Sequence, residues 1–152
     1  MDPETRKLQI QRVVDLPGKT GSELFALAQD WVVQTFRDSS AVTQQSDPER
    51  GKLTVRAYWT GMSFGLLTPD VWFDAIIETK DGRYRVTFTS VRLKGYLDVQ
   101  PYEFPLEQSR LYTKGGAKQI ARRAEFEGRF HRFTDSLRSV MERSVDDESE
   151  DW

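Results

Sequence analysis

Apolar and polar residues alternate with period two in several stretches of the chain and recur at steps of three and four in two others, and this division predicts the elements. In KLQIQRVVDL, Leu8, Ile10, Val14 and Leu16 fall on one side of an extended strand, Arg12 interrupts the row and Val13 lies on the other side. Pro17 and Gly18 stop it. Thr20 followed by Glu23 has the capping-box spacing that satisfies free N–H groups at a helix start, so a helix is expected from about Gly21 to Arg37. Its stripe of Leu24, Ala28, Trp31, Val32 and Phe36 asks for a sheet to lie on, and Trp31 inside that stripe reads as core.

Two hairpins follow. AVTQQS and KLTVRAYWT flank DPERG, where Asp47 and Pro48 suit a type I turn and Gly51 suits a following bulge. Leu53, Val55, Ala57 and Trp59 then share an inner face, with Lys52, Thr54, Arg56 and Tyr58 outside. DVWFDAIIETKDGRYRVTFTSVRLK is a second hairpin about the two-residue turn Asp81-Gly82. Setting Lys80 opposite Arg83 pairs Ile77 with Val86, Ala75 with Phe88 and Thr79 with Tyr84 on an inner face completed by Phe73 and Val71. The outer face pairs Glu78 with Arg85, Ile76 with Thr87, Asp74 with Thr89 and Trp72 with Val91. Opposite charges meet in this register, which supports it.

From Gly95 to Gly116 no period is sustained and Pro101 and Pro105 intervene, so this stretch is expected to be an irregular connection. Its aromatic content argues that it covers part of the body. Phe126, Phe130, Phe133, Leu137, Val140 and Met141 then recur at helical spacing, predicting a long final helix. The reading is an α+β domain of order β-α-β-β-β-β-α: an antiparallel sheet of about five strands with two helices on one face.

Length and charge bound this picture. The 152 residues suit one domain, expected over 1–145, with 146–152 a disordered acidic tail. The chain has 22 basic and 24 acidic residues, net −2; five of the acids lie between Asp146 and Asp151, and without them the balance is 22 to 19, or +3. So dispersed a charge gives no footprint for nucleic acid. Arg56 and Arg85 would lie on the outer face, but Asp74 and Glu78 oppose them. The absence of cysteine excludes disulfides, thiolate metal sites and cysteine nucleophiles. No apolar run reaches the roughly 20 residues that span a bilayer, and the start MDPETRKLQIQ has no apolar signal region.

Candidate chemistry is sparse. His131 stands alone on the last helix, without companions at metal-ligand spacing, so no metal or cofactor is expected. Asp74, Glu78 and Asp98 are candidate contributors to a cleft, and Glu78 is better explained by Arg85. The apolar loop TGMSFGLLTPD either folds back to cap the core or lines an apolar pocket or partner surface. The candidate surface is therefore Tyr58, Met62, Phe64, Trp72, Ile76 and Val91, joined by Tyr102 from the long connection. It suits a protein partner or a small apolar ligand; oligomeric state is left open.

VVDLPGKTGSELFALAQDWV, DSSAVTQQSDPERGKL and IETKDGRYRVTFT, in this order over roughly Leu8 to Val91, resemble a bacterial domain family of unknown function with the saddle-shaped fold of the TATA-binding protein. The carriers are a strand ending in PGK, Leu24 and Trp31 on the helix, the D-x-E-x-G-K-L turn and the DGRYR hairpin. The resemblance implies a half-saddle fold and not a reaction, and it supplies no catalytic or binding residues to carry over. Its members often occur in exported or lipid-anchored proteins, which makes periplasm or cell envelope a candidate compartment, although this chain shows no signal segment. The resulting expectation is a non-enzymatic binding or interaction domain. A hydrolase or transferase with its site in the 95–116 connection is the alternative.

Overall fold

The computed structural model describes residues 7–36, 41–60, 67–113 and 115–143, without the side chains of 41–43 and 110. Arg37, Met62, Phe64 and the acidic segment 146–152 lie outside the described residues.

Among the described residues, six strands form one antiparallel sheet: β1 (Ile10–Asp15), β2 (Ala41–Asp47), β3 (Lys52–Trp59), β4 (Asp70–Lys80), β5 (Arg83–Leu97) and β6 (Gln100–Pro105). Their order is β1-β5-β4-β3-β2, with β6 also on β5. At 15 residues β5 is long enough to take β1 along its first half and β6 along its second. Helices α1 (Gly21–Thr35) and α3 (Ala117–Met141) pack on one face of this sheet, and a short α2 (Arg110–Thr113) precedes α3.

The core lies between helices and sheet. Leu24, Ala28, Trp31 and Val32 of α1 and Phe126, Phe130, Leu137 and Met141 of α3 close over Leu53, Val55, Phe73, Ile77, Val86 and Phe88. Phe130 meets Phe73 at 5.4 Å and 89° and Phe88 at 5.2 Å, edge and tilted contacts of the kind the ring quadrupole favours. Arg12, which broke the apolar row of β1, reaches Asp135 of α3 at 2.8 Å.

One end of the molecule ties the turns together. Thr20 caps α1, its hydroxyl accepting the Glu23 N–H at 3.1 Å. The Asp81 carboxylate of the β4–β5 turn accepts the Gly21 N–H at 2.7 Å, placing negative charge at the positive end of the helix dipole. Gly82 donates to the Lys19 carbonyl and accepts from the Leu16 N–H, both at 2.8 Å. Gly51 has φ +65°, and a Cβ there would sit 2.4 Å from the Thr79 carbonyl oxygen. Only glycine allows that approach.

Two expectations are corrected. The β4–β5 register holds from Lys80 opposite Arg83 to Asp74 opposite Thr89, but Trp72 faces Arg92, not Val91. A β-bulge adds one residue to β5 around Ser90, which takes φ 55°, and the extra residue reverses which side chains point outward. Val91 therefore turns to the helix side and is 2% exposed. The stretch expected to be irregular is also built: it contains the end of β5, β6, a 3₁₀ turn at Leu106–Gln108 and α2. Leu106 and Leu111 are buried in the core cluster. The segment extends the sheet and continues to the helix side instead of lying over Trp72.

Candidate interaction surface

Alternation along β3 and β4 leaves Thr54, Arg56, Tyr58, Trp72, Asp74, Ile76 and Glu78 on the face opposite the core, where no helix of the described residues covers them. Tyr58 and Trp72, directly opposite in the register, stack with centroids 4.8 Å apart at 26°. Lys94 of β5 places its Nζ 4.4 Å from the Trp72 ring. Because Tyr58 and Lys94 come from the strands on either side of β4, the indole is flanked from both directions and stands half-buried. It serves as the centre of a row, not as a free stacking platform.

The charges around this row are paired. Arg56 donates to Asp74 at 3.1 Å. Arg85 grips Glu78 through Nε and Nη2, with contacts of 2.9 and 3.1 Å. Arg92 donates to Glu103 of β6 at 2.7 Å, and this hydrogen bond holds the Glu103 carboxyl below the usual carboxylate range. Between the aromatic row and the Arg85–Glu78 pair lies Ile76, flanked by Thr54 and Thr87 in the register. The face is thus nearly neutral in charge, rich in oriented donors and acceptors, and apolar along its centre. A shallow hollow of about 310 Å³ opens at the β4–β5 turn end, lined by Val13, Arg50, Glu78, Lys80, Arg83 and Arg85 among others. Its arginines are taken by Asp47, Glu78 and Asp15.

Of the seven residues expected to form the surface, Tyr58, Trp72 and Ile76 share this open face. Val91 is corrected to the core by the bulge. Tyr102 is corrected too: it pairs with Gly95 on the side of Leu93 and Phe104, and its ring folds over Gly95 so closely that a Cβ there would meet Oη at 2.6 Å. Burial raises its pKa, with the charge of Asp70 adding to the rise. Met62 and Phe64 lie outside the described residues. The period-two pattern missed Lys94 because its place beside Trp72 depends on the bulge. An exposed apolar tip was also unforeseen: Tyr96, Leu97 and Val99 at the β5–β6 turn.

The polar groups of 95–116 serve the scaffold. Glu107 accepts the Leu8 N–H at 2.5 Å, fastening the start of β1. Tyr112 donates to Glu127 of α3 at 2.7 Å; burial, then that bond, raises its pKa. Asp98 occupies the β5–β6 turn at φ 55°. His131 is exposed on α3, and among the described residues no group of three or more metal-binding side chains forms.

The sheet with two helices on one side matches known proteins. Residues 11–94 match the family described as a domain of unknown function (DUF4468) with TBP-like fold, more than half of the chain. The chain belongs to this family. The DUF4468 match spans β1 to most of β5, so it includes Tyr58, Trp72, Ile76 and Lys94. A TBP-like protein from Parabacteroides distasonis superposes with TM-score 0.68 at 14% identity, covering 91% of this chain and 96% of that one. A DUF4468 family protein from Bacteroides ovatus gives 0.65 at 12%, covering 91% and 88%. At these identities the likeness concerns the fold. No curated protein matches the chain.

Proposed function

We propose that this DUF4468 domain is a binding module with no reaction of its own, and that it docks a protein partner on the sheet face opposite the helices. The observation that carries the reading is the Tyr58–Trp72–Lys94 row, which no helix of the described residues covers, among ion pairs already made. Tyrosine and tryptophan bring large contact area at little entropic cost, and they dominate binding energy where they become fully desolvated. Paired arginines need not find new partners on docking, so covering them costs less than covering free charges. A small apolar ligand is the second form of this reading, but the aromatic row is part of a broad face and not of an enclosed cavity. The resemblance to exported domains makes the cell envelope a candidate setting.

Site-specific photo-crosslinking tests the proposal. A benzoylphenylalanine at position 58 should capture a discrete partner in the native host cells, whereas the same group at position 122, exposed on α3, should not. No adduct from position 58, or the same adducts from both positions, would contradict it.

A further inference from the structure

A second hollow lies on the other side of the molecule, where the last turn of α1 meets the middle of α3. It is an open groove of about 530 Å³, lined by Trp31, Gln34, Arg129, Arg132, Phe133 and Ser136 among others. Its charge differs from that of the open face. Seven other arginines of the described residues stand in ion pairs, whereas Arg129 and Arg132 have no carboxylate within ion-pair distance among those residues. Among the described residues no carboxylate lines the hollow.

From this we infer that the α1–α3 hollow binds a small organic anion, a carboxylate carried on an apolar body. Arg129 and Arg132 are three residues apart on α3, about 4.5 Å along its axis, a separation that lets two guanidiniums share one carboxylate. Arg129 is held in place by a cation–π contact, its guanidinium carbon lying 5.3 Å from the Trp59 ring centroid. Trp31 is anchored by its Nε1–H, which donates to the Ser136 hydroxyl at 3.1 Å. The ring itself is buried, so the apolar wall is the partly buried Phe133, whose centroid lies 6.4 Å from it. Gln34 and Ser136 add neutral polar groups at the rim. Inorganic phosphate would satisfy the guanidiniums but leave the aromatic wall unused. A competing role for the two cations is to complement the negative C-terminal end of α1, whose last turn holds no basic residue.

The test is an NMR titration of the folded protein with 3-phenylpropionate, its neutral amide, and inorganic phosphate. Saturable shifts of the Trp31 indole N–H and of amides 129–136 with phenylpropionate, and much weaker ones with the amide and phosphate, are expected. Arg132→Gln, at an exposed position where folding is not at risk, should weaken binding about tenfold, the loss of one charge-assisted hydrogen bond. Arg122→Gln should leave it unchanged. The absence of saturable shifts up to about 10 mM, equal responses to all three compounds, or unaltered binding by Arg132→Gln would overturn the inference and leave the cations to the helix end.

Discussion

Replacing Trp72 with alanine should cost far less stability than replacing Trp31, although both are tryptophans in regular structure. Trp31 is 1% exposed, touches Phe36 at 5.8 Å and 83°, and donates to Ser136. Its removal empties a core site and frees a hydroxyl, a loss of about 3–5 kcal/mol. Trp72 stands on the open face, where alanine forfeits the Tyr58 stack, about 0.5–1.5 kcal/mol, and the Lys94 contact, about 0.5–1 kcal/mol at an exposed site. No sealed cavity remains, because water fills the space. The expected loss is therefore about 1–2.5 kcal/mol. Urea unfolding at 25 °C, with free energies from linear extrapolation, separates the two. In a variant keeping Trp72 as its sole tryptophan, iodide should quench part of the fluorescence. A loss at Trp72 equal to that at Trp31, with full protection from iodide, would refute the open face.

Other outcomes follow from particular contacts. Gly51→Ala should destabilise by about 2–4 kcal/mol, because the Cβ strikes the Thr79 carbonyl and strains the Thr79 N–H to Gly51 bond of 2.7 Å. Gly82→Ala, at φ +81° with nothing within 4 Å, should show only the conformational cost of about 1 kcal/mol; equal losses in urea melts would disprove the steric argument. Burial pushes the Tyr84 phenol from 10.0 up to about 12, against the pull of Arg138. The unfolded chain releases this proton near pH 10 while the folded one keeps it, so the stability tied to neutral Tyr84 is complete below pH 10 and is lost towards about pH 12. Tyr84→Phe should flatten that fall in melting temperature. Since its hydroxyl has no partner among the described residues, the change should cost nothing at pH 7, and a drop of several degrees there would contradict this.

Much of the scaffold could be read from the chain because local signals agreed with one another. The Asp81-Gly82 turn sets a two-residue loop, so every pair from Lys80–Arg83 to Asp74–Thr89 follows by counting. Counting fails at Ser90, where a left-handed residue that is not glycine leaves no mark in the sequence. The same failure put Val91 on the wrong face and hid Lys94. Pro101 and Pro105 disguised β6 because proline is a poor strand former, yet at the edge of a sheet its missing N–H costs little. Tyr58, Trp72 and Ile76 were legible because they precede the bulge. The Arg129–Arg132 hollow was not, since two cations on a helix read as a solvated flank until α1 is laid beside them.

The central claim is that the sheet face opposite the helices is where this domain meets a partner. Ile76→Arg tests it most directly, placing a long cation at the middle of that face, on the side of β4 away from the core. Tagged protein recovered from its native host cells would be compared by quantitative mass spectrometry for wild type, Ile76→Arg and a helix-side control, Arg122→Glu, after equal melting temperatures are verified. The account predicts partners that are lost with Ile76→Arg and retained with Arg122→Glu; a partner set unchanged by Ile76→Arg would contradict it.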